Sequence, residues 1–478
     1  MSNPEPESRK IIPIQAEDAD GELISLYASH QRIYPRSVSG LFSQWRWGMV
    51  WLTQIIFYGL PWLEFGQRQA VLFDLGARRF YIFGLVLYPQ DFIYLTGLMV
   101  ISALSLFLFT AVAGRLWCGY ACPQTVYTEI FLWIEKLVEG DRTARMRRDN
   151  LSWSLDKTTR KGLKHLIWIA VALWTGFTFV GYFSPIRQFA GEFMQLNLGP
   201  WETFWTFFYG FATYGNAGFM REQVCKHMCP YARFQSAMFD KDTLIVTYDK
   251  ERGEPRGARS RKADPKTLNL GSCVDCNLCV QVCPTGIDIR KGLQYECIGC
   301  GACVDVCDAV MDRIGYARGL VKYSTDNAIK QGWSQRQTLR HVFRPRVLVY
   351  STILGSIVLA MIISVNLRTL FKVDVVRDRG VMARIVGGDN IENVYRLQIM
   401  NATEANQRYR ITVSGLPGLQ LSTEAEVMVE STQARWVTVR LQVPLQGMTG
   451  GSHAIAFEIE SLDSPGHLTE KSVFLVPR

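Results

Sequence analysis

The fold of the middle of this chain is decided by two runs, Cys273-Val-Asp-Cys276-Asn-Leu-Cys279-Val-Gln-Val-Cys283-Pro284 and Cys297-Ile-Gly-Cys300-Gly-Ala-Cys303-Val-Asp-Val-Cys307-Asp308. In each run two residues separate each of the first three cysteines from the next, and three residues precede the fourth cysteine. Three thiolates at this spacing let a tight loop wrap one corner of an iron–sulfur cubane, and the fourth lies on a short helix leading to a second cubane. The runs therefore predict a module with two [4Fe–4S] clusters.

The expected ligand sets follow the two-cluster bacterial ferredoxin spacing, in which the fourth cysteine of each run serves the other cluster. One cluster is then held by Cys273, Cys276, Cys279 and Cys307, and the other by Cys297, Cys300, Cys303 and Cys283. A zinc or disulfide framework is the alternative, but zinc sites usually use two well-separated cysteine pairs and no disulfide framework needs this doubled spacing. Asp308 replaces the proline of many ferredoxins and is not a ligand.

Composition indicates a membrane protein of several domains. The chain has 478 residues, of which 20% are charged and 12% aromatic, and its net charge is +9. In a membrane protein such an excess belongs on cytoplasmic loops, so it is no evidence for nucleic-acid binding. The 12 cysteines fall into three groups and none follows Cys307. This grouping indicates metal or redox chemistry in a reducing compartment.

Five apolar stretches predict membrane spans. They are residues 47–63, 92–113, 166–183, 201–219 and 347–365. The second is the clearest, because it carries no charge and is long enough to cross a hydrocarbon core of about 30 Å. The fourth is the weakest, because it contains Glu202 and Asn216. A re-entrant or interfacial segment is the alternative for that stretch.

Basic residues predict the topology. Lys and Arg are concentrated in residues 115–164 and 221–346, and such segments stay in the cytoplasm. With five spans, the N-terminus and the cluster module are cytoplasmic, and the C-terminal region lies in the periplasm of a Gram-negative cell. The predicted domains are a loosely ordered tail (1–44), a membrane domain (45–239), the ferredoxin-like domain (240–346), the fifth span (347–365) and an antiparallel Ig-like β-sandwich of about seven strands (366–478).

Two other cysteine pairs share the pattern Cys-x-x-x-Cys-Pro. They are Cys118 and Cys122, before Pro123, and Cys225 and Cys229, before Pro230. Proline suits the first turn of a helix, so the second cysteine of each pair is predicted at a helix N-terminus. The helix dipole is expected there to lower the thiol pKa and to favour the thiolate.

The two motifs predict one site of soft ligands at the cytoplasmic membrane boundary. Four thiolates suit Cu(I), zinc or a further iron–sulfur centre, and a thiol/disulfide couple is also open. The alternative is four unrelated buried thiols that pack as small hydrophobic groups. His227 and Met228 lie between two of the thiols and are candidate extra ligands; the alternative for each is interfacial packing.

Missing features exclude several functions. The chain has 6 histidines and none lies in a predicted span, which excludes a bis-His haem b in the membrane. No charged residue is central in a span, which argues against a proton pump or ion transporter. We find no phosphate-binding glycine loop, so the electron donor is another protein or a quinol. Residues 256–262 are basic and are a candidate docking site for an acidic donor; a solvated segment near anionic lipid is the alternative.

The whole arrangement resembles the CcoG family, also called FixG or RdxA, accessory proteins for assembly of cbb3-type cytochrome c oxidase. The two C-x-x-x-C-P motifs with a ferredoxin are shared with NapH-type quinol dehydrogenases, but the β-domain after a fifth span is particular to CcoG. The resemblance implies reduction of Cu(II) to Cu(I) at the inner membrane, with Cys118, Cys122, Cys225 and Cys229 as the copper site. It also implies oxidase subunits or copper chaperones as partners.

Two other functions remain. One is a quinol-oxidising electron conduit of the NapH type, which requires a quinol pocket and a periplasmic partner. The other is a non-enzymatic assembly scaffold or redox sensor, in which the clusters only report redox state.

Overall fold

A computed structural model describes residues 15–17, 23–25, 32–66, 68–259, 269–378, 380, 383–446 and 448–477. The remaining residues include most of the predicted tail and residues 260–262 of the basic stretch, so those predictions lie largely outside the described residues.

Helices dominate the first three quarters of the chain. The α-helices are α1 (Leu41–Gly59), α2 (Phe92–Ala113), α3 (Leu116–Tyr120), α4 (Pro123–Glu139), α5 (Arg142–Asn150), α6 (Leu155–Val180), α7 (Ile186–Met194), α8 (Pro200–Thr213), α9 (Pro230–Met238), α10 (Lys250–Gly253), α11 (Leu278–Gln281), α12 (Ala302–Ile314), α13 (Asp326–Lys330), α14 (Gln335–Arg340) and α15 (Pro345–Leu367). Two π-helical turns, Tyr214–Met220 and Val224–Met228, lead from α8 to α9.

Strands form small sheets early in the chain and two large sheets at its end. The strands are β1 (Gln15–Glu17), β2 (Leu23–Ser25), β3 (Glu64–Phe65), β4 (Arg68–Gln69), β5 (Val71–Asp74), β6 (Arg79–Ile82), β7 (Leu85–Leu87), β8 (Ile245–Tyr248), β9 (Val321–Ser324), β10 (Phe371–Arg377), β11 (Arg384–Val386), β12 (Asn390–Asn401), β13 (Gln407–Ser414), β14 (Gln420–Leu421), β15 (Glu426–Val429), β16 (Ala434–Pro444), β17 (Gly451–Ser461) and β18 (His467–Val476).

Three helical segments in the described part of the chain are long and apolar enough to cross a membrane. They are Pro89–Ala113, which contains α2, Leu155–Val180 and Pro345–Leu367. These segments match the second, third and fifth predicted spans. The first predicted span falls on α1, which carries the buried Arg46, and the fourth falls on α8, which has only 14 residues.

The helix of the third predicted span begins earlier than predicted, at Leu155, where the side chain of Ser154 accepts a hydrogen bond from the Lys157 N–H. His165 therefore lies inside a candidate span, and the expectation that no histidine does so is wrong. The reason is that a helix can continue beyond its apolar part when polar side chains form hydrogen bonds with its end, as Ser154 does here. A single histidine still cannot form a bis-His haem site.

Close backbone contact joins α6 to α8. A Cβ atom on Gly176 would lie 2.2 Å from the Thr206 carbonyl oxygen, so only glycine fits there. Small residues at helix crossings allow such contact in membrane proteins. On its other side α6 packs against α4, where the rings of Trp168 and Phe131 stack at 4.9 Å. These contacts hold α4 and the π-helical turns together, and both thiol motifs adjoin them.

The last part of the predicted tail is ordered. The Arg36 N–H donates to the Gln281 carbonyl oxygen at 2.8 Å, and the Ser37 N–H donates to Asp141 at 3.1 Å. The Ser43 N–H donates to Asp305 of α12 at 2.8 Å. Polar composition suggested looseness, but here the polar groups have fixed partners in the cluster module and at the start of α5.

The C-terminal region is an antiparallel β-sandwich, as the alternating sequence predicts. One sheet has the order β10-β12-β16-β14, with β11 also paired to β12, and the other has the order β15-β13-β17-β18. Side chains from both sheets, among them Tyr395, Leu441 and Phe457, are fully buried between them. The short strands β11 and β14 bring the number above the predicted seven.

Candidate metal centres

Two cavities divide the eight cysteines of the module between them. The first, here called the proximal cavity, is lined by Cys279, Cys283, Cys297, Cys300 and Cys303. The second, the distal cavity, is lined by Cys273, Cys276, Cys279 and Cys307. Each predicted ligand set thus lies around one cavity, and Cys279 borders both.

Tight loops and short helices produce this arrangement. Cys307 lies on α12, whose N-cap residue Gly301 has φ +72°, and Cys279 lies on α11, whose N-cap residue Asn277 has φ +56°. A Cβ atom on Gly301 would approach the Phe42 ring to 2.8 Å. Because Gly301 has no side chain and adopts a left-handed conformation, the loop before α12 can turn sharply beneath Phe42 of α1.

The residues lining the cavities fit iron–sulfur clusters. In the described chain, sulfur and apolar groups predominate in both linings, and neither contains a carboxylate or an imidazole. Burial raises the pKa of Cys297 and of Cys307 to about 12. Four cysteine sulfurs around an apolar space are the usual donors to a [4Fe–4S] cluster.

The four thiols of the C-x-x-x-C-P motifs lie in one region of the protein and are here called the thiol group. Cys118 lies on α3 and Cys225 in the second π-helical turn, while Cys122 and Cys229 are the N-cap residues of α4 and α9, so the predicted helix starts are confirmed. Cys118 interacts electrostatically with each of the other three thiols. All four are partly buried.

The predicted pKa shift is wrong for Cys122. Burial raises its pKa, and hydrogen bonds from the backbone N–H groups of Gln124 and Thr125 offset only part of this effect. Burial likewise raises the pKa of Cys118 to about 12 and that of Cys225 to about 11, with further increases from neighbouring thiols. At Cys122, desolvation therefore exceeds the effect of the helix N-terminus.

The candidate extra ligands lie on the outside of this group. His227 and Met228 are exposed, in contrast to the thiols beside them. Among the described residues, no three His, Cys, Asp or Glu side chains stand close enough to share one metal ion.

The first thiol motif touches the proximal cavity. A Cβ atom on Gly119 would lie 2.8 Å from the Ile298 carbonyl oxygen and 2.9 Å from the Cys300 Cα. Cys118 packs against the apolar cluster that contains Ile298 and Cys300. The thiol group and the cysteine loop of the proximal cavity are therefore in direct contact.

Sequence reasoning missed two buried side chains in this contact. From the sequence, Arg115 is only the first residue of a basic segment, yet its guanidinium donates to the Cys297 carbonyl oxygen at 3.4 Å and to Ser236 Oγ at 2.7 Å. Gln235 accepts a hydrogen bond from Cys118 Sγ at 3.2 Å. The available signal was a charged residue between an apolar span and a cysteine motif.

A buried carboxylate holds the second motif in place. Glu135 of α4 has no exposed surface and pairs with Arg221 and Arg145, both at 2.7 Å, and with Lys164 at 3.6 Å. Burial alone would raise the pKa of Glu135, but the charges and hydrogen bonds of these cations hold it below its ordinary value. Arg221 precedes Cys225 by one helical turn, so this network links the two motifs.

Three protein families match parts of the chain. The family described as a 4Fe-4S dicluster domain matches residues 220–326, and a 4Fe-4S binding domain matches residues 95–139, which include Cys118 and Cys122. The family described as the IG-like fold at the C-terminal of FixG, putative oxidoreductase, matches residues 361–477.

Relatives from two bacteria match most of the chain. Protein RdxB of Cereibacter sphaeroides is 40% identical over 85% of this chain and 86% of RdxB. The nitrogen fixation protein FixG of Rhizobium meliloti is 38% identical over 82% of this chain and 81% of FixG. A crystal structure of a FixG-related protein from Vibrio parahaemolyticus is 23% identical, covers 23% of this chain and 97% of that chain, and has a TM-score of 0.21.

Proposed function

Because this chain belongs to the FixG/RdxA family of iron–sulfur electron-transfer proteins, we propose that it reduces Cu(II) to Cu(I) for assembly of cbb3-type cytochrome c oxidase. The observation that carries the proposal is the contact between the thiol group and the cysteine loop of the proximal cavity, at Gly119 and Cys118. This contact puts soft ligands beside an electron store, which a metal reductase requires.

The eight cysteines of the module hold the resident cofactors in this proposal. Cys283, Cys297, Cys300 and Cys303 hold one [4Fe–4S] cluster at the proximal cavity, and Cys273, Cys276, Cys279 and Cys307 hold the other at the distal cavity. When bound, such clusters store and pass on single electrons.

Copper is the substrate of the thiol group. Since no three of the described His, Cys, Asp or Glu side chains are close enough to share a metal ion, Cu(II) has to draw Cys118, Cys122, Cys225 and Cys229 together as it binds. It then gains one electron from the reduced iron–sulfur protein and leaves as Cu(I), the oxidation state that soft sulfur ligands favour. A thiol that binds copper as a thiolate releases its proton. His227 and Met228 are further candidate ligands because they are accessible from outside the group.

The proposed setting is the bacterial inner membrane. In this proposal, α1 and α8 cross the membrane in addition to the three candidate spans, which makes five crossings. The N-terminus and the cluster module then lie in the cytoplasm, and the β-sandwich faces the periplasm, where it meets oxidase subunits or copper chaperones. The electron donor is a reduced protein or a quinol.

Reduction of Cu(II) by purified protein tests this function. Anaerobically prepared protein should contain about eight iron atoms per chain with matching acid-labile sulfide. After reduction with dithionite and removal of the excess, it should convert Cu(II) to Cu(I), as followed with a Cu(I)-specific chelator. The double variant Cys118→Ser, Cys225→Ser should lose this activity and keep the cluster spectrum.

The double variant His227→Ala, Met228→Ala tests the two candidate extra ligands, which are exposed neighbours of the thiols. It should retain at least a tenth of the activity. Normal copper reduction by the cysteine variant would show that copper is reduced elsewhere.

One observation favours a quinol-linked function as the second candidate. Aromatic side chains, among them Phe179, Trp205 and Tyr209, line a large open cavity between α6, α8 and the β5–β6 turn. Its lining also includes Glu202, and the aromatic walls suit a planar ring. Oxidation of a soluble quinol by the cluster-loaded protein, lost in Trp205→Ala, would support this candidate.

A further inference from the structure

We infer that Arg115 is a positioning residue that joins the thiol group to the proximal cluster and raises the reduction potential of that cluster alone. The inference rests on the proposed iron–sulfur function of the module, but not on copper as the substrate.

The guanidinium of Arg115 joins two separate segments of the chain. One terminal nitrogen donates to the carbonyl oxygens of Tyr295 and Cys297, which belong to the proximal cysteine loop. The other donates to the carbonyl oxygen of Ala232 and to Ser236 Oγ on α9, the helix that follows the second thiol motif. Arg115 itself directly precedes α3 and the first motif. Its planar fork therefore fixes three elements at one point.

The charge of Arg115 has no carboxylate partner. The side chain lies in a residue that is only 5% exposed, and among the described residues no Asp or Glu lies within ion-pair distance of it. Burial lowers the pKa of Arg115, while the sulfurs of Cys118, Cys297, Cys225 and Cys229 act in the opposite direction. A buried cation is costly unless a negative group compensates it. In the cluster-loaded protein, the cysteine sulfurs that would hold the proximal cluster, Cys297 among them, supply that negative charge.

The sign of the effect follows from Coulomb's law. Reduction adds one negative charge to an iron–sulfur centre, so a nearby cation stabilises the reduced form and raises the potential. Arg115 contacts the loop of the proximal cavity and not that of the distal cavity. The distal cavity has its own arginine, Arg290, but two carboxylates, Asp288 and Asp275, pair with that side chain at 2.7 and 2.5 Å.

The test is a redox titration of the full-length, cluster-loaded protein, followed by electron paramagnetic resonance without copper. Arg115→Gln should lower the midpoint potential of the proximal cluster and leave that of the distal cluster unchanged. Arg115→Lys keeps the charge and should stay closer to wild type. Arg290→Gln is the matched control and should leave the proximal potential unchanged. A Cys276→Ser variant, which alters the distal set, assigns the two signals.

A second pair of variants keeps the arginine and covers the case in which Arg115→Gln does not assemble. Ser236→Asp places a carboxylate against the guanidinium and should lower the proximal potential, while Ser236→Asn should not. An unchanged proximal potential in both Ser236→Asp and Arg115→Gln would overturn the inference. If the variants show these shifts in potential but the wild-type protein does not reduce Cu(II), only the proposed copper function is refuted.

Discussion

Glu135 is the single residue on which the packing behind the thiol motifs depends most. Its carboxylate is enclosed by Arg221, Arg145 and Lys164, which come from three different elements. Removing one partner from a buried ion network leaves the remaining buried charges uncompensated. The resulting loss of folding stability exceeds the net stability that the intact network provides. We therefore expect substitution of Glu135 to destabilise the protein far more than substitution in an exposed ion pair.

Glu135→Gln should destabilise the protein by about 3–5 kcal/mol, because it leaves buried cations beside a neutral amide. The measurement is thermal unfolding in detergent, with iron content recorded in parallel. Asp156→Asn is the control, since Asp156 forms an exposed i,i+4 pair with Arg160 and should leave the melting temperature within error. Equal melting temperatures for the two variants would contradict the role given to Glu135.

The same carboxylate predicts an acid sensitivity. The folded-state pKa of Glu135 lies below the ordinary value of 4.5, so its contribution to stability is present above that pH and is lost as the pH falls through the folded pKa. The difference in melting temperature between wild type and Glu135→Gln should therefore shrink progressively below about pH 4.5. If the difference in melting temperature stayed constant down to pH 3, the destabilisation by Glu135→Gln would come from altered packing and not from the lost charge.

Among the elements, α3 controls the approach of the thiol group to the cluster module. Gly119 stands where any side chain would collide with the backbone of the proximal loop, and backbone cannot rotate away as a flexible side chain can. The close approach of the thiol group to the proximal cavity therefore requires a residue without a Cβ atom at position 119.

Gly119→Ala should push α3 away from the module and destabilise the protein by about 1–3 kcal/mol, as overpacking does. In the copper assay it should reduce Cu(II) more slowly at unchanged iron content. Gly162→Ala is the matched control, because a Cβ atom at this exposed position of α6 meets nothing within 4 Å. That change should be neutral or should stabilise by up to about 1 kcal/mol. Faster copper reduction in Gly119→Ala would disprove the close-approach argument.

At the scale of the whole molecule, the sheet β5–β7 joins the helices to the β-sandwich. The Tyr88 hydroxyl donates to the Asn401 carbonyl oxygen at 2.8 Å, and Arg368 pairs with Asp91 at 3.5 Å. Leu72 and Tyr81 pack against Met400 of β12. The sandwich is therefore anchored at the end of the helices opposite the cluster module.

The proposed topology can be tested on the intact chain. In spheroplasts, an epitope tag at the C-terminus should be removed by added protease, while a tag at the N-terminus should be protected until the cells are lysed. The reason is that the basic segments beside the cluster module hold that side in the cytoplasm. Protection of the C-terminal tag together with loss of the N-terminal tag would invert the assignment.

Local spacing made much of the fold predictable. The cysteine runs, the prolines after Cys122 and Cys229, and the alternating C-terminal strands each act over a few residues, and the helix starts and the sandwich were predicted correctly from them. The first and fourth spans were harder to judge, because α1 carries a buried arginine and α8 is short.

By itself, therefore, the sequence determined many of the elements, the iron–sulfur domains and the family, since these depend on side-chain chemistry at short spacing. Only the tertiary structure decided that Gly119 touches the proximal loop, that Arg115 lies between two sets of sulfur atoms, and that burial raises the thiol pKa at Cys122. Desolvation and long-range contact depend on which distant segments surround a group, and spacing along the chain carries no information about that.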